Sequence, residues 1–134
     1  MEYELCKAAQ KLWQDYFREP SPNGIENMIE MSDPNLVMIG PDKQTFYTSA
    51  AEAAEGIKTA SRKDTFLFSQ GTYEITNEWY ECLYISSDIY VVYGTLHIKK
   101  DSSPDETDFR FSIIYHVTAN SYEILHIHYS IPCF

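Results

Sequence analysis

Two apolar runs near the end of the chain constrain its fold more than any other feature. The first spans Phe109 to Val117 and the second Tyr122 to Ile131, joined by Thr118-Ala119-Asn120-Ser121. Both are rich in β-branched and aromatic residues, and Asn120-Ser121 is turn chemistry, so they predict an antiparallel hairpin. Side chains alternate across a strand, which divides each run into two faces. Phe111, Ile113, Tyr115, Leu125, Ile127 and Tyr129 are expected on one face. Arg110, Ser112, Ile114, His116, His126, His128 and Ser130 are expected on the other. One face is apolar with hydroxyl tips. The other is a ladder of histidine and hydroxyl groups. A chain containing such a hairpin needs something apolar to cover the first face.

The cover is supplied at the other end of the sequence. Leu5, Ala8, Ala9, Leu12, Trp13, Tyr16 and Phe17 recur at helical spacing, while Lys7, Lys11, Gln14 and Arg18 take the opposite side. The pattern predicts an amphipathic helix over roughly residues 2–19, stopped by Pro20. Ser21-Pro22 reads as a cap and first helical position for a short helix through Ile25, Met28 and Ile29. Leu36 to Ile39 reads as a short buried strand, turned by Gly40-Pro41-Asp42. Ser49 and Glu52 have capping-box spacing ahead of an Ala-rich helix. Beyond Asp64 the candidates are strands, over 66–76, 81–85, 89–98, 109–117 and 122–131, with turns at 86–88 and 99–108. Helices first and a strand meander after is an α+β order. The expected architecture is one domain over residues 1–134, with the long helix laid across a bent antiparallel sheet.

Composition narrows the function classes. With 20 acidic against 10 basic residues the chain carries a formal charge of −10, which repels phosphate backbones and anionic bilayers. Neither a nucleic-acid nor a membrane partner is expected. Cys6, Cys82 and Cys133 are an odd, widely spaced set without a CxxC pair, which argues against a disulfide framework or zinc knuckle. With no basic-then-apolar leader at the N-terminus, the expected setting is cytoplasmic.

The order of elements, closing on Leu125-His126-Ile127-His128-Tyr129-Ser130, resembles the SnoaL-like branch of the nuclear transport factor 2-like superfamily, the cystatin-like α+β cone. His126 to Ser130 followed by Pro132 matches that branch's HxHxS terminal strand, shared by the association domain of calcium/calmodulin-dependent kinase. Arg110-Phe111-Ser112 resembles the Arg-x-Thr/Ser of the preceding strand. Val37-Met38-Ile39-Gly40 and Glu78-Trp79-Tyr80-Glu81-Cys82 resemble a bacterial subgroup, in which the cone serves as a sensor-like domain ahead of regulatory modules. That subgroup carries a Glu after the Ile-Gly turn, where this chain has Gln44-Thr45, and it continues into an output domain. The resemblance implies a lone cone or a trimmed piece of a larger regulator. It covers nearly the whole chain, and the fold hosts isomerases, cyclases, dehydratases, sensors and assembly domains.

The residues themselves weigh against catalysis. Proton-transfer chemistry needs a buried acid or base. The inward face of the last hairpin offers only Tyr115 and Tyr129 as polar groups, and Tyr16 on the helix adds a third. Glu74, Glu78 and Asp88 stay open as acids that a bent strand would turn inward. A zinc site needs three converging ligands. His126 and His128 lie about 7 Å apart along one strand face. His116 and His97 are spread beyond them, so structural histidines are expected and no metal or cofactor. Trp13, Tyr16, Phe17, Met38, Tyr90, Phe111, Tyr115, Ile127 and Tyr129 are the expected lining of an apolar pocket, and their buried hydroxyls need partners. Arg110, His116, His126, His128 and Ser130 are the expected dimer contact, partly because resembling domains dimerise through this sheet. The reading is a non-catalytic, sensor-like binding domain for a small apolar or aromatic ligand, working as a homodimer. An isomerase-, cyclase- or dehydratase-type enzyme, and an assembly domain with a filled core, are the alternatives.

Overall fold

The structure is a computed structural model that describes residues 1–18, 23–41, 45–62, 73–101, 103–119 and 121–131. Three helices, α1 (Glu2–Arg18), α2 (Asn23–Glu30) and α3 (Ala50–Arg62), pack on one six-stranded sheet. The strands are β1 (Ser32–Ile39), β2 (Phe46–Tyr47), β3 (Tyr73–Ser86), β4 (Ile89–Lys100), β5 (Glu106–Val117) and β6 (Tyr122–Ser130). Their order is β2-β1-β6-β5-β4-β3. The stripe on α1 does what its spacing predicts. Leu5, Ala9, Leu12, Trp13, Tyr16 and Phe17 are all buried, against Phe109, Phe111, Ile113, Ile127 and Tyr129 of the hairpin. Pro20 and the Ser21-Pro22 cap lie outside the described residues.

The sheet is not wholly antiparallel. β1 runs parallel to β6, with Val37 opposite His126 and Met38 opposite Ile127. β1 is also longer than its apolar run. The Ser32 hydroxyl donates to the Met28 carbonyl at 2.7 Å, and the Ile124 N–H donates to the Met31 carbonyl at 2.9 Å. These bonds tie the end of α2 to the sheet before the buried residues begin. β2 follows the turn at Gly40, whose N–H donates to the Thr45 carbonyl at 2.7 Å. At α3 the Glu52 N–H donates to Ser49 Oγ at 3.0 Å, half of the expected capping box. The Glu52 carboxylate does not close the box: it accepts from Thr48 Oγ1 at 3.1 Å.

Two further expectations are corrected. The strands expected over 66–76 and 81–85 meet in one 14-residue strand, β3, which starts at Tyr73; residues 63–72 lie outside the described set. Polar Asn77 and Glu78 read as a break, and a register irregularity between Ile75 and Asn77 carries the strand through them. The second correction is Leu125. Ile114 pairs with His126 but Tyr115 pairs with Ile124, so Leu125 is the extra residue of a bulge. Ile124, fully buried, takes the core position assigned to Leu125, which is half-buried. Strict alternation fails there because one inserted residue inverts the parity of everything beyond it.

Gly94 lets β3 and β5 close on β4. A Cβ there would collide with the Trp79 carbonyl oxygen and stand 3.2 Å from the Phe111 ring. No helix among the described residues is long and apolar enough to cross a membrane.

Candidate functional site

The interior is built around Trp13, carried inward by the second half of α1. Its ring lies 4.8 Å from Phe109, 5.3 Å from Phe111, 5.5 Å from Tyr16 and 5.7 Å from Tyr129, centroid to centroid. Phe17 joins through Tyr16 at 5.0 Å and Phe109 at 5.1 Å. Most pairs are edge-to-face or tilted, the geometry that aligns ring edges with ring faces. Met38 and Ile127 sit opposite one another and are fully buried. Seven of the nine expected lining residues therefore converge. Phe109 was absent from that set, although it shares the strand face of Phe111 and alternation alone would have found it.

Tyr115 belongs to the same buried core and Tyr90 packs against it, but both lie farther along the sheet from the Trp13 rings. Tyr115 is four residues along β5 from Phe111, about 13 Å at strand rise. It faces Tyr90 on β4, and its ring meets Tyr122 edge-on at 5.7 Å. Tyr90 is half-buried against Tyr84 at 5.3 Å. Burial, with the neighbouring Tyr122 second, pushes the Tyr115 phenol well above its usual range and keeps it protonated.

Among the described residues, polar groups in this interior are few. The Tyr16 and Tyr129 hydroxyls are 3.4 Å apart, long for O–H···O. A Cβ on Gly40 would collide with the Thr45 side chain and stand 3.1 Å from the Tyr129 hydroxyl, so the glycine leaves room for both. Trp13 Nε1 and the Tyr115 hydroxyl are buried without a hydrogen-bond partner among the described residues. Of the three carboxylates left open by sequence, Glu78 alone turns toward α1. It accepts from Gln10 Nε2 at 2.6 Å and from the Tyr80 hydroxyl at 3.0 Å, and the Tyr80 ring lies 5.5 Å from Phe111. Burial, then the Glu78 charge, holds Tyr80 protonated well above its usual range. Glu74 is exposed, and Asp88 sits at the β3–β4 turn facing His116.

The opposite sheet face carries the histidine ladder in the expected register. Arg110 faces Ser130, Ser112 faces His128, and Ile114 faces His126. Below the bulge His116 faces Glu123, not the Ile124 that unbroken alternation implies. Its imidazole lies between Glu123 Oε1 at 3.3 Å and Asp88 Oδ2 at 3.0 Å, contacts that raise its pKa. Burial, then His128, lowers that of His126. His97 lies 3.3 Å from Asp108. Among the described residues no three His, Cys, Asp or Glu side chains are grouped to hold a metal. Exposed Trp79, Leu83 and Tyr93 extend this face across β3 and β4, with the Trp79 and Tyr93 rings 6.0 Å apart. The place of Trp79 and Leu83 on the face follows from strand pairing, which the residues of β3 alone do not reveal.

No protein-family model matches the chain, and no curated protein matches it. Solved structures do. An NTF2-like protein of unknown function from Pseudomonas putida KT2440 aligns over 100% of this chain and 91% of its own, with TM-score 0.68 and 11% identity. A protein with a cystatin-like fold from Caulobacter vibrioides covers 95% and 89%, at TM-score 0.67 and 17% identity. The protein has the nuclear transport factor 2-like, cystatin-like fold. A candidate ketosteroid isomerase from Parabacteroides distasonis has the same cone, at TM-score 0.61 and 14% identity over 95% of this chain and 87% of its own. At such identities the likeness of the cones establishes architecture and leaves the chemistry of the interior to be argued from its residues.

Proposed function

We propose that this cone is a non-catalytic, sensor-like domain of the SnoaL-like kind, acting in the cytoplasm, that takes a small apolar or aromatic molecule into its aromatic interior. The observation that carries the reading is the orphaned donor at the centre of the ring cluster, Trp13 Nε1, which has no partner among the described residues. A buried donor without a partner costs about 1–3 kcal/mol, and a ligand oxygen relieves that cost. Trp13, Tyr16, Phe17, Met38, Phe111, Ile127 and Tyr129 are the proposed walls, with Tyr16 and Tyr129 as anchors. Tyr115 and Tyr90 face each other farther along β5 and β4 and are not among the proposed walls. Native mass spectrometry of the purified protein is the test. A co-purified apolar molecule is expected, with affinity falling at least threefold in Tyr129→Phe and Trp13→Phe. Unchanged affinity in both variants overturns the anchor assignment.

The proposed working unit is a homodimer joined through the outer face. Exposed Trp79, Leu83 and Tyr93 beside Arg110, His126 and His128 combine aromatic and Arg side chains, a composition suited to protein contact. The enzyme reading keeps one supporting observation, the Glu78 carboxylate at the edge of the aromatic cluster. Loss of a measurable turnover in Glu78→Gln, with the fold intact, would establish it in place of simple binding.

A further inference from the structure

Outside the aromatic interior, a groove of about 280 Å³ lies between α1 and α2. Leu12 and Met28, both buried, form its apolar base, and Ala8, Met31 and Tyr122 wall it. It runs into a polar hollow that shares Glu30, Met31 and Tyr122 and reaches Glu123. Its charges do not balance. Lys11 donates to Asp15 at 2.8 Å, so this pair on the rim is neutral. Glu123 beyond it is engaged by His116, so among the described residues Glu30 at the seam is the charge that leaves the lining negative, in a chain of formal charge −10.

We propose that this groove binds a small organic cation, an apolar or aromatic body bearing a primary ammonium. The body lies against Met28, Met31 and Tyr122, and the ammonium sits at Glu30. Thioether side chains adapt to irregular apolar shapes, so the two methionines accept a range of bodies. An aromatic face next to a carboxylate attracts a cation twice, through the ring quadrupole and through a charge-assisted hydrogen bond. An anion of the same shape meets Glu30 and the field of the whole chain, and is rejected. The site is separate from the aromatic interior, across α1 from the Gln10–Glu78 contact.

Calorimetry of the full chain with phenethylammonium, and with hydrocinnamate as its anionic counterpart, tests the proposal. The ammonium is expected to bind at low salt and to weaken as salt rises, while hydrocinnamate does not bind. Glu30→Gln is expected to weaken the ammonium about threefold to fivefold, and Tyr129→Phe to leave it unchanged. The Met28 and Met31 methyl resonances should move during the titration. Equal binding of hydrocinnamate, an unchanged affinity in Glu30→Gln, or still methyl signals would each overturn it.

Discussion

His116 and His126 are 10 positions apart in the sequence and respond to acid in opposite senses. His116 hydrogen-bonds Glu123 and then Asp88, which raises its pKa above the ordinary 6.5. Its folded form binds protons more readily than the unfolded chain does. The stability it contributes is full below about pH 6.5 and is lost as pH rises through the folded value. For His126, burial first and the neighbouring His128 second lower the pKa. Its contribution is present above about pH 6.5 and is lost as pH falls through that range. Imidazole titration by NMR should place His116 above 6.5 and His126 below it. His116→Gln should also remove the acid-side gain while leaving the His126 midpoint in place. A His116 midpoint at or below that of His126 would contradict the clamp between Asp88 and Glu123.

At the scale of elements, α1 and β3 are held by groups that apolar spacing does not predict. Gln10 and Tyr80 both donate to Glu78, on the side of the helix next to its apolar stripe. Cys6 and Cys82 flank the same seam. Burial, then Cys6 and Glu2, pushes the Cys82 thiol up to about 11. The closing of β3 on β4 rests on Gly94, where any side chain meets the Trp79 carbonyl and the Phe111 ring. Gly94→Ala is expected to cost about 3 kcal/mol or more, read from urea unfolding, because backbone must shift to admit the methyl. A loss under about 1 kcal/mol would mean that β3 slides away freely and is less tightly paired than its register implies.

At the scale of the molecule, the helices cover one face of the sheet and leave the other to water or a partner. Several large apolar side chains are exposed there, with Trp79 at 50% and Leu83 at 52%. Such a patch marks an interaction surface. Sedimentation at micromolar concentration and neutral pH should give a dimer, and Leu83→Glu should return it to monomer. Acidification below pH 6 should weaken the dimer, because protonating His126 adds like charge to both copies. A clean monomer at neutral pH would remove the proposed assembly. An acid-insensitive dimer would move the contact away from the histidines.

Local periodicity determined the three helices, the final hairpin, its two faces and the stripe that covers one of them, because these depend on neighbours a few residues apart. Thus Trp13, Tyr16, Phe111 and Tyr129 are legible as one interior in the sequence itself. What the folded chain alone decided rests on register and on contacts between distant segments. The bulge at Leu125 exchanged it for Ile124 and set Glu123 beside His116. Pairing of β1 with β6 ran parallel, and Glu78 met Gln10 across 68 residues of sequence. Tyr115 kept its face and its place in the core but lies away from the Trp13 rings, since a face says nothing of height along a strand. Alternation carries a period of two and no origin, so one inserted residue or one choice of neighbour changes which side chains meet.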